Sequence, residues 1–150
     1  MSNLDNVNDQ HLFHGVHILG EMYEIDKNDL DDVQKLTAAL KKGIEESGAS
    51  ICGIQQKQFS PNGVTILALL SESHASIHTY PEQNALFFDA FTCGTRCNPL
   101  RIAQALSEVL KPKRCELKTV ERGRPPYPMD MASHTAQLAA LNNFSDAPLH

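Results

Sequence analysis

Chemically reactive side chains are concentrated in the segment LLSESHASIHTYPE, at 69–82, directly behind an apolar run. Within this segment, Ser73 lies between Glu72 and His74. A serine hydroxyl becomes a nucleophile when a nearby base removes its proton. The G-x-S-x-G turn that presents the nucleophile in many hydrolases is missing around Ser73, so the sequence gives little support to a hydrolase triad.

The same serine could instead attack its own chain. Its hydroxyl can add to the preceding carbonyl, that of Glu72, and shift the acyl group from nitrogen to oxygen. This step needs a strained peptide, a hydroxyl that stabilises the tetrahedral oxyanion and a base that later removes the serine Cα proton. The ester then eliminates to dehydroalanine, which hydrolyses to a pyruvoyl group with loss of ammonia. A single chain can thus make its own electrophile.

The composition excludes several other classes of function. A chain of 150 residues with 41% hydrophobic content is a usual size for one domain with one core. A net charge of −5 with scattered basic residues disfavours a nucleic-acid partner. The polar first ten residues do not resemble a signal peptide, and the apolar run ILALL is too short to cross a bilayer. We expect one domain over 1–150, cytoplasmic, with no nucleic-acid or membrane partner.

No metal site is predicted. The four cysteines are spread through a chain without an export signal and are expected to be reduced. Cys93 and Cys97 lack the paired spacing of a structural zinc site. His11, His14 and His17 are evenly spaced, but side chains alternate along a strand and steps of three diverge.

The hydrophobic pattern alternates between strand and helix periods. Alternation predicts a strand over 15–25. Apolar residues at every third or fourth position predict a helix of about five turns that begins at Asn28 and is followed by Gly48 as its C′ residue. A second helix is expected after Asn98 and Pro99, which suit the N-cap and first helical positions. Further strands are predicted in the segments ASICGIQQKQF, VTILALLSES, ASIHTY, ALFFDAFTC and KRCELKTVER.

Helices separated by runs of strands favour the α+β class. The predicted architecture is a two-layer α/β sandwich, with a mainly antiparallel sheet and helices packed on one face. The segment 124–150 is Pro-rich and then weakly helical, which predicts a peripheral C-terminal tail.

The segment SESHASIHTYPE, with FSPNGVT upstream and FTCG downstream, resembles the short prokaryotic S-adenosylmethionine decarboxylase proenzymes, which are pyruvoyl-dependent. The similarity is gap-free from 59 to 94 and extends to GVHILGEMYEID and ERGR. A serine, a histidine and a cysteine at set spacing over this length make the resemblance specific. It implies an enzyme that decarboxylates S-adenosylmethionine and supplies the aminopropyl donor for spermidine biosynthesis.

The resemblance also implies a role for each matching residue in self-cleavage. Glu72 and Ser73 would be the cleavage pair, giving a beta chain, 1–72, and an alpha chain, 73–150. Ser73 would become the covalent pyruvoyl cofactor, whose ketone condenses with the substrate amine and accepts the electron pair left by decarboxylation. His78 would remove the Cα proton.

Further roles follow from the same resemblance. Thr65 stands where the family usually has a serine that assists processing, and its hydroxyl can donate the same hydrogen bond. Cys93 would return a proton to the substrate carbon after carbon dioxide has left, so it should be a protonated thiol in a sheltered pocket. Phe59 and Tyr80 would flank the adenine, and Glu82 would accept hydrogen bonds from the ribose hydroxyls.

Two positions depart from the family pattern: the family usually has Trp in place of Tyr80 and often has Asp in place of Thr95. The resemblance further implies a homodimer of processed protomers with sites near the interface. Two alternatives stay open: a decarboxylase of arginine or ornithine with the same mechanism, and a non-catalytic regulatory paralogue. Retention of the reactive serine, histidine and cysteine argues against the second.

Overall fold

Strands and helices form where the hydrophobic pattern predicts them, apart from details at the helix starts. The computed structural model of the chain describes residues 13–71, 73–93 and 96–123. Within these residues the order is β1 (Gly15–Tyr23), α1 (Lys27–Leu30), α2 (Val33–Ser47), β2 (Ile51–Gln58), β3 (Val64–Leu70), β4 (His74–Tyr80), β5 (Ala85–Cys93), α3 (Leu100–Leu110) and β6 (Arg114–Arg122). None of these helices is long and apolar enough to span a membrane. The predicted tail, 124–150, lies outside the described residues.

The six strands found among the described residues belong to one antiparallel sheet in the order β2-β3-β4-β5-β1-β6. The helices α2 and α3 cover one face of this sheet, and the apolar side chains between the two layers are buried. The core includes Leu40, Ile44, Ile66, Ile77 and Leu106. Removal of these side chains from water is the main force that holds the layers together. The predicted α+β two-layer sandwich with helices on one face is confirmed.

The helix predicted over 28–47 is two helices, so this part of the prediction is wrong. The first ends at Leu30, and the side chain of Asp32 accepts a hydrogen bond from the Lys35 backbone N at 3.0 Å to begin the second. Aspartate side chains bind backbone N–H groups and favour helix starts over helix interiors. The apolar period continues through the break because both helices bury residues in the same core. Gly48, with a φ of 89°, ends α2 as predicted.

The helix α3 begins one residue later than expected. Pro99 takes the N-cap position, while the Asn98 side chain accepts a hydrogen bond from the Leu100 backbone N at 3.1 Å. α3 lies close to α2 at Gly43, where a Cβ would be only 2.8 Å from the Ile102 Cα. A larger residue at this glycine would push the two helices apart.

The sheet surface opposite α2 and α3, the open face, carries alternate residues of every strand. The register places on it the cross-strand rows Thr65–His78–Phe87, Leu67–Ser76–Asp89–Leu19 and Leu69–His74–Phe91–His17. Large apolar side chains on this face are exposed, Leu69 by 62% and Leu67 by 51%. Exposed apolar patches of this kind mark surfaces that contact another molecule.

Candidate active site

The turn between β3 and β4 positions Ser73. The Leu70 backbone N donates to the Ser73 carbonyl at 2.9 Å, and the Ser71 backbone N donates to the Ser50 carbonyl at 2.9 Å. Ser73 is half-buried and directly precedes β4. The predicted cleavage point therefore adjoins a tight turn at one end of a hairpin, although Glu72 itself lies outside the described residues.

Polar side chains surround Ser73 in what we term the Ser73 cluster: Ser73, His74, Ser76, Asp89 and His17. Ser73 Oγ lies 3.3 Å from His74 Nδ1, and His74 Nε2 lies 3.2 Å from Asp89 Oδ2. His17 Nε2 lies 2.8 Å from the same carboxylate oxygen, and the Ser76 hydroxyl donates to the other oxygen, Oδ1. Side chains of β1 and β4 thus contact one carboxylate, that of Asp89 on β5.

The charge state of Asp89 sets the hydrogen-bond directions in this cluster. Burial raises the pKa of Asp89, but hydrogen bonds from Ser76, His17 and His74 together outweigh burial, so the pKa lies below its ordinary value. Asp89 is therefore ionised at neutral pH and can only accept hydrogen bonds. Both imidazoles must donate to it through Nε2, which leaves Nδ1 of a neutral His74 to accept from the Ser73 hydroxyl.

The other end of β4 carries the His78 cluster, which we define as Thr65, His78, Phe59, Tyr80 and Phe87. Thr65 and His78 are direct cross-strand partners, and the Thr65 hydroxyl is hydrogen-bonded to His78 Nδ1. The His78 ring centroid lies 4.6 Å from that of Tyr80 and 6.1 Å from that of Phe59. The Tyr80 and Phe87 ring centroids are 5.0 Å apart. This end of the strand is enclosed mainly by aromatic rings.

The His78 cluster opens into a cleft of about 480 Å³ that Phe59, His78, Tyr80 and Glu82 line together. Its volume is in the range that small-molecule ligands occupy. Phe59 is held at the rim because its backbone N donates to the Gly63 carbonyl at 2.8 Å. The structure therefore brings together all three residues predicted to contact the adenosyl group.

The two clusters do not meet within one chain. His74, which follows Ser73, and His78 are four residues apart along β4. A strand rises by about 3.3 Å per residue, so roughly 13 Å separates the Cα atoms of the two histidines. The predicted processing residues Thr65 and His78 lie at the end away from Ser73. Cys93 lies at the Ser73 end, because the register pairs His74 with Phe91 and Cys93 follows two residues later on the same face. Cys93 is half-buried, and Thr95 lies outside the described residues.

The similarity of this chain to known proteins indicates its family. A family model described as S-adenosylmethionine decarboxylase matches residues 16–123. The chain belongs to the S-adenosylmethionine decarboxylase family. The matched residues end where the described part of the chain ends and include both clusters.

Individual relatives from this family agree with the match. S-adenosylmethionine decarboxylase proenzyme 2 from Bacillus cereus is 43% identical over 109 residues, covering 73% of this chain and 89% of the relative. The S-adenosylmethionine decarboxylase proenzyme of Thermotoga petrophila is 41% identical over 110 residues, covering 73% and 85%. The crystal structure of the adenosylmethionine decarboxylase from Aquifex aeolicus superposes with a TM-score of 0.72 at 30% identity, covering 79% of this chain and 98% of that chain. The resemblance inferred from sequence motifs is confirmed.

Sequence reasoning about this S-adenosylmethionine decarboxylase family member missed His74, Asp89 and Phe87 as site residues. A signal was available, since alternation along ALFFDAFTC assigns Phe87 and Asp89 to the same strand face as Cys93. Alternation along HASIHTY likewise groups His74 with His78. The missing information was the register that places Asp89 beside Ser76 and within reach of His74.

Three residues of the Ser73 cluster, His17, His74 and Asp89, could together bind one cation. The ligand atoms of His17, His74 and Asp89 lie within 4.8 Å of one another. The evenly spaced histidines considered from the sequence do diverge: His14 Nε2 lies 3.8 Å from Glu121 Oε1, whereas His17 contacts Asp89. His11 lies outside the described residues.

Proposed function

We propose that this chain is a proenzyme that cleaves itself between Glu72 and Ser73 and then decarboxylates S-adenosylmethionine. The main support for this proposal is the environment of Ser73. Its hydroxyl contacts an imidazole nitrogen beside a tight turn, in a chain whose relatives are named proenzymes. Cleavage there would leave residue 73 as the new amino terminus and the source of a pyruvoyl group.

The sheet can hold the two cleavage products together. Fragment 1–72 would contribute β1, β2 and β3, and fragment 73–150 would contribute β4, β5 and β6. In the sheet, β3 pairs with β4, and β1 lies between β5 and β6. The fragments are therefore interleaved and keep their hydrogen-bonded ladders when the turn is cut.

Decarboxylation needs an electron sink and a proton donor at the same end of the sheet. A pyruvoyl group, once formed, supplies the electron sink for the pair that carbon dioxide leaves behind. Cys93 lies at the Ser73 end on the open face, where its thiol can protonate the substrate carbon. Both reactive positions thus adjoin the β4–β5 ladder.

The cleft at the His78 end suits the adenosyl part of the substrate. Phe59 and Tyr80 offer ring faces to the adenine, and Glu82 offers a carboxylate to the ribose hydroxyls. Aromatic faces also attract the positive sulfonium. Arginine and ornithine have no aromatic base or ribose to use these groups.

A homodimer would unite the two ends of the site. A two-fold axis running across the strands, with the open faces packed together, would bring the His78 cluster of one protomer opposite the Ser73 cluster of its partner. The same packing would bury apolar side chains that are otherwise exposed, namely Leu19, Leu67, Leu69, Phe87 and Val120. We propose this arrangement because it satisfies both the split site and the exposed apolar patch.

Intact mass spectrometry tests the cleavage. The wild-type chain is expected to give fragments of 72 and 78 residues, the second beginning with a pyruvoyl group, and Ser73→Ala is expected to stay whole. Carbon dioxide release from S-adenosylmethionine, arginine and ornithine then tests the substrate. An active wild-type enzyme that remains one chain would refute the mechanism. Turnover of arginine or ornithine without S-adenosylmethionine would refute only the substrate.

A further inference from the structure

We propose that His74 is the base that activates the Ser73 hydroxyl for self-cleavage, and that Asp89 holds the His74 ring in position. The inference rests on the proposed function and deepens it. Neither residue is among the processing residues predicted from the sequence. Two contacts join the three side chains, at 3.3 Å from Ser73 Oγ to His74 Nδ1 and 3.2 Å from His74 Nε2 to Asp89 Oδ2.

The protonation pattern gives His74 the correct nitrogen for this task. Asp89 is a carboxylate and only accepts, so the proton of a neutral His74 is on Nε2. The lone pair on Nδ1 then accepts from the Ser73 O–H. A nucleophile, a base and a third group that orients the base form the general arrangement for activating a weak nucleophile.

Asp89 is itself held in place by neighbours on two strands. Ser76 is its direct cross-strand partner and donates to Oδ1, while His17 Nε2 donates to Oδ2 at 2.8 Å from β1. A carboxylate fixed on both oxygens restricts the imidazole that donates to it. Asp89 is a positioning residue in this scheme, because it acts through His74.

The proposed step is an acyl shift from the Ser73 nitrogen to the Ser73 oxygen. The Ser73 hydroxyl proton moves to His74 Nδ1 while Oγ forms a bond to the carbonyl carbon of residue 72. When the bond between that carbon and the Ser73 nitrogen breaks, the same proton passes from Nδ1 to the nitrogen. An amide has become an ester, and nothing else has been consumed or released.

His74 and His78 would then remove different protons. His74 contacts the hydroxyl that attacks first, whereas His78 is the proposed base for the later removal of the Ser73 Cα proton. Loss of His74 should therefore stop the chain as an unreacted amide. Loss of His78 should stop it one step later, as an ester that hydroxylamine cuts.

The test follows freshly synthesised precursor by intact mass over time, with and without hydroxylamine. His74→Ala and His74→Gln are expected to slow cleavage by about 100-fold or more, the usual contribution of a general base, and to resist hydroxylamine. Added imidazole should restore part of the rate in His74→Ala, which a purely structural defect would not allow. Asp89→Asn should slow cleavage by roughly 10-fold or more, because an asparagine in the orienting position favours the wrong imidazole tautomer.

His17→Ala is the matched control, since it removes an imidazole from the same carboxylate oxygen without removing the proposed base. It is expected to change the rate several-fold less than His74→Ala. Cleavage of both His74 variants at the wild-type rate, or an ester in them that hydroxylamine cuts, would overturn the role of His74. Arrest of the wild-type chain by a chelator with recovery on added Zn²⁺ would instead make His17, His74 and Asp89 a metal site. A wild-type chain that never cleaves would overturn the proposed function itself.

Discussion

The two ends of β4 hold their histidines in contrasting surroundings. His74 lies between a serine hydroxyl and an ionised carboxylate, and its side chain is 46% exposed. His78 is hydrogen-bonded to a threonine hydroxyl and enclosed by the rings of Phe59 and Tyr80. A carboxylate stabilises the imidazolium that forms during proton transfer, whereas aromatic rings provide surface for a flat ligand. One strand thus separates the proposed point of self-cleavage from the proposed site of substrate recognition.

Removal of the imidazole at the aromatic end should have the largest effect. In His78→Ala, the ester lacks the base that removes the Cα proton, so formation of the mature fragments should fall by at least about 100-fold. Intact mass spectrometry after hydroxylamine treatment measures the trapped ester. Normal maturation of His78→Ala would remove this residue from processing.

Mixed dimers test whether His78 acts on Ser73 of its own chain or on Ser73 of the other chain. Differently tagged Ser73→Ala and His78→Ala chains are co-expressed, so that the mixed dimer has one intact Ser73 and one intact His78. If His78 acts across the two-fold axis, the His78→Ala chain should be cleaved in the mixed dimer only. Absence of cleavage there would contradict the proposed dimer geometry.

Cys93→Ala should separate processing from turnover. Cleavage is expected to persist, while carbon dioxide release or correct protonation of the product falls by about 100-fold because the acid is lost. Cys52→Ala is the matched control, since Cys52 is an exposed thiol on β2. Equal activity in the two variants would show that Cys93 is not the proton donor.

Phe59→Ala tests the recognition end with a smaller expected effect. A lost aromatic stacking contact costs about 0.5–1.5 kcal/mol, so the KM for S-adenosylmethionine should rise by roughly 2- to 10-fold with cleavage unchanged. Phe13→Ala is a suitable control because Phe13 is 82% exposed and is not among the residues that line the cleft. An unaltered KM would leave Phe59 with a packing role only.

The smallest effect concerns acid stability at the Ser73 end. The pKa of Asp89 is lower in the folded chain than its ordinary value, so the carboxylate contributes stability above the ordinary aspartate pKa. That contribution is lost as the pH falls through the folded-state pKa. In the uncut Ser73→Ala background, Asp89→Asn should reduce the free energy of unfolding at neutral pH, with the difference shrinking in acid. Urea titrations at several pH values measure it, and a difference independent of pH would contradict the assignment.

Local patterns along the chain were sufficient to predict the layers of the fold. Each strand was predicted from alternation or turn chemistry because both signals are short-range. The break at Asp32 was missed, since an aspartate cap leaves the apolar period on either side unchanged. The start of α3 was displaced by one residue for a similar reason, because Asn98 caps across Pro99.

The site residues could be predicted only where they belong to the sequence motif that resembles the family. The roles of Ser73, His78 and Cys93 come from a resemblance and remain predictions. The contact between His74 and Asp89 depends on the register of two strands, which the sequence of either strand alone does not determine. The distance between the clusters likewise depends on both lying along one extended strand.

The position of β1 between β5 and β6 affects whether the protein can refold after cleavage. The precursor folds as one chain, so its native state is reached by a unimolecular reaction. After cleavage, the same sheet could be rebuilt from the unfolded state only if two separate polypeptides found each other and threaded a strand from one between two strands of the other. The proposed cleavage at this turn would therefore make the native structure depend on how it was formed, because the mature protein would keep a topology that its separated fragments could assemble only by colliding.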